Sequence, residues 1–88
     1  MEVIYKKTAL EDLEFWKTSG KKIIQKKISK LIEDILLHPY TGLGKPEGLK
    51  HELSGSWSRE IDKKNRLVYE VVGNEIQILS LRDHYYDK

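Results

Sequence analysis

Three residues of the types that move protons or hold phosphate lie outside the predicted core: Glu47, Arg66 and His84. An ionised carboxylate can accept a proton, and a histidine near neutral pH can donate one. A guanidinium stays charged and its planar fork fits phosphate oxygens. Together they suffice for acid–base chemistry at a phosphate ester without a metal. Each residue also has an explanation without catalysis. Glu47 is then a solvated loop acid, Arg66 bridges Asp62 or Glu70, and His84 belongs to a disordered tail.

Metal or cofactor chemistry has no recognisable pattern here. The chain has no cysteine, which excludes a cysteine-type zinc site, and His38 and His51 have no partner at metal-ligand spacing. His38 instead lies at a predicted helix C-terminus, where partial positive charge is favourable. We therefore expect no cofactor.

Basic residues are concentrated in one stretch. From Lys17 to Lys30 there are lysines and no acids, and the lysines are Lys17, Lys21, Lys22, Lys26, Lys27 and Lys30. Such a field can hold a nucleic-acid backbone, with Lys22 and Lys26 as candidate RNA contacts. A solvated helix face is an equally good explanation.

Length and composition indicate one small domain spanning residues 1–88. The 88 residues are 39% hydrophobic and 34% charged, with a net charge of +2, as in a globular protein. The lack of cysteine favours a reducing compartment. No apolar run approaches the roughly 20 residues that a membrane span needs. We expect a cytoplasmic protein without membrane contact.

Two helices are predicted after a short strand at Val3–Tyr5. Thr8 and Glu11 have capping-box spacing, which predicts a first helix from Ala9 to about Ser19 that Gly20 ends. The second is predicted from Lys21 to about Leu37, where the His38-Pro39 pair ends it. Its apolar stripe consists of Ile24, Ile28, Leu31 and Ile35, widened by Ile32 and Leu36.

Three strands are predicted in the second half of the chain. Residues 40–55 are rich in glycine and read as a loop with one short extended piece. Strands follow at 57–61, 67–72 and 76–81, and Gly73-Asn74 is a two-residue hairpin signal. The order β-α-α-β-β-β predicts an α+β domain, an antiparallel sheet with a helical hairpin packed on one face. Trp57 and Tyr69 are expected in the core.

The predicted strand register separates two of the candidate residues. A strict two-residue turn places Val71 on the same side as Ile76, and alternation then places Arg66 on the side opposite His84. The two can converge only if the backbone departs from regular pairing. We therefore predict irregular backbone at one of two points, the turn at Arg66 or the strand end before His84.

Four motifs occur in one order: Gly42-Leu-Gly-Lys-Pro-Glu-Gly-Leu-Lys50, Leu53-Ser-Gly-Ser-Trp-Ser-Arg59, Asn65-Arg-Leu-Val-Tyr69 and His84-Tyr85. This succession resembles the Txe/YoeB group of the RelE/ParE toxin superfamily, and the order of helices and strands fits a RelE-like fold over nearly the whole chain.

The resemblance implies the toxin of a type II toxin–antitoxin system, an endoribonuclease (mRNA interferase) that inhibits translation by cutting mRNA in the ribosomal A site. It implies Glu47 as general base, Arg66 as the phosphate-stabilising residue, and His84 with Tyr85 as the terminal pair, the histidine being the general acid. Lys50 and Arg59 match positions that face RNA. The implied partners are the 70S ribosome, a YefM/Phd-like antitoxin and, in many relatives, a second copy of the chain.

Two other functions are compatible with the predicted fold. A ParE-like toxin acting on DNA gyrase would share the scaffold, but it gives no reason for Glu47 and His84-Tyr85 to occur together. A non-enzymatic module that binds RNA or protein through the lysine-rich helix is the other alternative.

Overall fold

The computed structural model describes residues 1–82, so His84 and Tyr85 lie outside the described residues. The elements, in chain order, are β1 (Glu2–Tyr5), α1 (Lys7–Ser19), α2 (Lys22–Leu37), β2 (Glu47–Gly48), a 3-10 turn (His51–Leu53), β3 (Ser56–Glu60), β4 (Arg66–Val72) and β5 (Glu75–Ser80). The predicted α+β class and element order are confirmed, with β2 as the short extended piece in the loop.

The strands form one five-stranded sheet in the order β1-β5-β4-β3-β2. Neighbouring strands from β2 to β5 pair antiparallel, whereas β1 pairs parallel with β5. The sheet is therefore mixed rather than wholly antiparallel. The reason is topological, because two helices separate β1 from the later strands and β1 adds to the free edge of β5.

The start of α1 differs from the prediction. The helix begins at Lys7, and its N-cap is Lys6 with no side-chain cap, so the Thr8–Glu11 capping box is wrong. Lys6 donates its N–H to the Ile78 carbonyl at 2.9 Å and accepts a hydrogen bond from the Leu10 N–H at 2.9 Å. The chain therefore turns into the helix directly from the sheet, which leaves Thr8 inside the first turn.

The predicted ends of both helices are confirmed. Gly20 ends α1 in the left-handed region at φ 73°, and α2 ends at His38, before Pro39. The His38 N–H still donates to the Asp34 carbonyl at 2.7 Å. Neither helix in residues 1–82 has the length and apolar character to cross a membrane.

The core lies between the helices and one face of the sheet. Its buried members are Ala9, Trp16, Ile28, Leu31, Ile35, Ile61, Leu67, Tyr69, Ile76, Ile78 and Leu81. Of the predicted stripe on α2, Ile24 and Ile32 are partly buried and Leu36 is exposed. Tyr69 is buried and Trp57 packs against the cluster, as predicted.

A backbone irregularity lies within the pairing of β4 with β5, rather than at the turn of Arg66 or beyond the end of β5 as predicted. Val71 lies opposite Ile76 as expected, and Tyr69 lies opposite Ile78. The register then shifts, because Val68 lies opposite Ser80 and Leu79 is an extra residue on β5.

This β-bulge changes which residues share a face. Beyond it, Ser80 shares with Val68 the sheet face away from the helices, and alternation along β4 places Arg66 on that face too. The end of β5 thus faces the same side as Arg66. His84 itself lies outside the described residues.

Candidate active site

Arg59 on β3 is buried, with no exposed side-chain surface. Its guanidinium donates hydrogen bonds to the Asp34 carboxylate, the Tyr69 hydroxyl and the carbonyls of His38, Thr41 and Leu43. These acceptors lie on α2, on β4 and in the loop between α2 and β2. The expectation that Arg59 faces RNA, which the family resemblance implied, is therefore wrong in this structure, because the loop between α2 and β2 folds over the side chain.

The Arg59 cluster shifts the pKa of its neighbours. A hydrogen bond from the Leu43 N–H and one from Arg59 lower the pKa of Asp34. Burial raises the pKa of Tyr69 despite the opposing effect of Arg59. An ionised Asp34 and a neutral Tyr69 hydroxyl therefore accompany the buried guanidinium at neutral pH.

The loop between α2 and β2 is held against this cluster. Tyr69 donates its hydroxyl to the Pro39 carbonyl at 2.6 Å, and the Glu60 N–H donates to the Gly44 carbonyl at 2.7 Å. Gly44 has φ 79°, and a Cβ there would lie 2.8 Å from Cδ2 of Leu31. Only glycine fits this approach. The fixed loop leads directly into Glu47.

Glu47 and Arg66 come together at the edge of the sheet. Glu47 on β2 lies opposite Ser58 of β3, and its Oε1 is 3.6 Å from Nη2 of Arg66. Nε of Arg66 donates to Oγ of Ser58 at 2.9 Å. The side chain of Glu47 is 64% exposed and that of Arg66 is 14% exposed. Among residues 1–82, the acid that pairs with Arg66 is thus Glu47, rather than Asp62 or Glu70.

A tight turn presents Arg66 at the start of β4. Asp62 accepts hydrogen bonds from the N–H groups of Lys64 and Asn65 at 2.9 and 2.7 Å. Burial opposes ionisation of Asp62, but these hydrogen bonds and one from the Asn65 side chain outweigh it and lower its pKa. The charged Asp62 closes the turn and sets where Arg66 enters the sheet.

The arrangement has the elements of acid–base chemistry at an anion. An exposed carboxylate can take up a proton, and an adjacent guanidinium can hold the charge of a phosphate. Lys45, on the loop, pairs with Glu60 at 3.7 Å and adds a further cation at this edge.

The predicted lysines lie at different places. Lys50 is exposed just after β2, on the segment that carries Glu47. Lys22 and Lys26 are exposed on α2, on the side away from its buried stripe, so the sheet lies between them and the Glu47–Arg66 pair. His84 and Tyr85 lie outside the described residues.

The chain just before residues 83–88 is anchored to α1. The Leu81 N–H donates to Asp12 at 2.8 Å, and Nε1 of Trp16 donates to the Leu81 carbonyl at 2.9 Å. The guanidinium of Arg82 lies 3.6 Å from the ring centroid of Phe15. Both backbone groups of Leu81 are thus held by one helix.

Sequence reasoning did not single out Ser58, Asp34 or Asp12. The place of Ser58 could have been predicted, because pairing across the predicted turn sets β3 beside β4. Alternation along the strands then places Ser58 on the same face of the sheet as Arg66. The other two depend on contacts between distant segments, for which the local sequence has no signal.

Comparison with known proteins identifies relatives over nearly the whole chain. A family model described as "YoeB-like toxin of bacterial type II toxin-antitoxin system" matches residues 5–85. Toxin YoeB of Escherichia coli K12 is 44% identical over 85 residues, which cover 97% of this chain and all of the relative.

Solved structures agree with these relatives. A YoeB/ParE toxin from Agrobacterium tumefaciens superposes with a TM-score of 0.92 at 36% identity, covering 97% of this chain and 100% of that one. YoeB of Staphylococcus aureus, in a heterotetrameric YoeB–YefM complex, superposes with a TM-score of 0.87 at 37% identity, covering 97% and 98%. The chain therefore belongs to the YoeB-like toxins of bacterial type II toxin–antitoxin systems.

Proposed function

We propose that the protein is a metal-independent endoribonuclease that cuts mRNA and so inhibits translation. The observation that carries this proposal is the approach of Glu47 to Arg66 within 3.6 Å at an exposed edge of the sheet. A carboxylate beside a guanidinium is the pairing needed for attack of an RNA 2′-hydroxyl on the adjacent phosphate.

In the proposed reaction Glu47 takes the proton of the 2′-hydroxyl as its oxygen bonds to phosphorus. Arg66 stabilises the extra charge on the phosphate oxygens, because a guanidinium keeps its proton. The bond from phosphorus to the 5′-oxygen breaks, and His84, supported by Tyr85, protonates that oxygen. The products are a 2′,3′-cyclic phosphate and a 5′-hydroxyl end.

Cleavage assays with Glu47 variants test the proposal. We expect Glu47→Gln to lower the cleavage rate about 10²- to 10⁴-fold, the usual contribution of a general base. Glu52→Gln is the matched control, since Glu52 is also an exposed glutamate and lies in the 3-10 turn that follows β2. Equal cleavage by wild type and Glu47→Gln would disprove the role of Glu47. A gyrase-directed toxin would instead leave RNA intact and inhibit DNA supercoiling.

We also propose that cleavage occurs in the ribosomal A site. Lys50 would contact the message beside Glu47, while Lys22 and Lys26 would contact RNA on the other side of the molecule. Primer extension on a translated message, with and without ribosomes, tests this dependence. Cleavage at the same sites and rates without ribosomes would exclude it.

The partners proposed for this chain follow from the S. aureus relative, which is solved both as a dimer and in complex with YefM. We propose a YefM/Phd-like antitoxin that binds and inhibits this chain, and a homodimer of the free chain. Co-purification with the product of the neighbouring gene and light scattering of the free protein test the two interactions.

A further inference from the structure

Ser58 lies beside Glu47 in the sheet and is hydrogen-bonded to Arg66. It is the residue of β3 opposite Glu47 on one side and opposite Val68 of β4 on the other. Only 1% of its surface is exposed. Its hydroxyl, which accepts the Nε–H of Arg66 at 2.9 Å, is therefore a fixed point between two hydrogen-bonded strands.

Within the part of the chain that the structure describes, two polar contacts hold the Arg66 guanidinium, and they differ in strength. The contact with Ser58 has good hydrogen-bond length and a buried acceptor. The contact with Glu47 is 3.6 Å long, and the Glu47 side chain is mostly exposed. Exposed ion pairs contribute little because water screens them. Ser58, rather than Glu47, therefore sets the orientation of Arg66.

The reaction makes this difference important. Glu47 must turn towards the 2′-hydroxyl to take its proton, which loosens its contact with Arg66. The guanidinium fork binds phosphate oxygens well only when its plane is correctly aimed. With Nε held by Ser58, the terminal Nη groups stay directed to the place where Glu47 and the phosphate meet.

We propose that Ser58 is a positioning residue, which holds the guanidinium of Arg66 in the orientation that binds the scissile phosphate. Ser58 makes no contact with the reacting atoms in this scheme and acts through Arg66. The inference rests on the proposed ribonuclease function.

Kinetics of matched serine variants test the proposal. We expect Ser58→Ala to lower kcat about tenfold with little change in KM, the loss expected when one hydrogen bond from a charged donor is removed. Ser58→Thr keeps the hydroxyl and should recover most of the rate. Ser56→Ala is the control, because Ser56 is buried on the same face of β3 and lies opposite Glu70 instead. Equal rates for Ser58→Ala and Ser56→Ala would overturn the proposal.

A double-mutant cycle with Arg66→Lys separates positioning from general loss of structure. Lysine keeps the charge but has no Nε–H for Ser58 to accept. We expect Ser58→Ala to change the rate less than twofold in that background. A further tenfold loss there would show that Ser58 acts independently of Arg66.

A readout without cleavage distinguishes this inference from the proposed function. In NMR spectra of arginine side chains, the Nε–H of Arg66 should exchange slowly with solvent in wild type and Ser56→Ala, and at least tenfold faster in Ser58→Ala. Unchanged exchange in Ser58→Ala would overturn the role of Ser58. If wild type cuts no RNA, the proposed function fails, while the exchange rates still decide whether Ser58 holds Arg66.

Discussion

Asp34 and Arg59 are separated by 25 positions in the chain, yet Oδ2 of Asp34 lies 2.6 Å from Nη1 of Arg59. The same carboxylate oxygen accepts the Leu43 N–H at 2.9 Å. The pair thus joins α2, β3 and the loop that leads to Glu47. Through this loop the buried arginine supports the candidate site without facing it.

Removal of Arg59 should destabilise the fold. Arg59→Ala leaves Asp34 without its charged partner and three loop carbonyls without the guanidinium donor, so we expect the free energy of unfolding to fall by about 3–5 kcal/mol. Urea denaturation followed by circular dichroism measures this. Lys50→Ala, at an exposed site, should change it by less than about 0.5 kcal/mol. A stable Arg59→Ala protein that had merely lost RNA affinity would restore the RNA-facing role.

Stability should fall in acid because of Asp34 and Asp62. Their pKa values are lowered in the folded protein, so each favours folding above its unfolded pKa of about 3.9. That stability is lost as the pH drops through the lower folded pKa. Unfolding free energies from pH 7 down to pH 2 should show a decline below about pH 4, which is shallower in Asp34→Asn. An identical decline in that variant would exclude Asp34 as a source.

Gly44 should tolerate substitution less well than Gly20. Both have positive φ, but a Cβ at Gly20 meets nothing within 4 Å, whereas one at Gly44 meets Leu31, Arg59 and Glu60. Gly20→Ala should cost about 1 kcal/mol of unfolding free energy from backbone strain. Gly44→Ala adds steric overlap and should cost about 2–4 kcal/mol. Equal costs in thermal denaturation would mean that the loop yields easily.

Features set by local chemistry could be predicted from the sequence. The helix ends at Gly20 and His38, and the two-residue turn at Gly73-Asn74, depend on residues within a few positions. The start of α1 could not be predicted, because Lys6 is held by a carbonyl of β5. In the same way, β1 pairs parallel with β5 because of the whole topology rather than its own sequence.

In the candidate site, too, features set by the local sequence could be predicted, and features set by distant contacts could not. The loop segment that contains Glu47 and the turn before Arg66 could be predicted, whereas the bulge opposite Val68 lies inside the paired strands and not at the turn or strand end where irregular backbone was predicted. The polar contacts of Arg59 could not be predicted either, because alternation with Trp57 and Ile61 places Arg59 on the core-facing side of β3, but the local sequence has no signal for its partners. Its five acceptors come from a loop, a helix and another strand.

The anchor of Leu81 on α1 predicts that Trp16 matters for both stability and cleavage. Trp16→Phe removes the donor to the buried Leu81 carbonyl, which should cost about 1–3 kcal/mol of unfolding free energy. Because His84 follows Leu81 by three positions, we also expect slower RNA cleavage at temperatures where the variant remains folded. Trp57→Phe is the control for lost ring volume, since Trp57 packs beside Tyr40 instead. If Trp16→Phe cuts RNA at the wild-type rate while its stability falls, the anchor serves the fold alone and His84 does not depend on it.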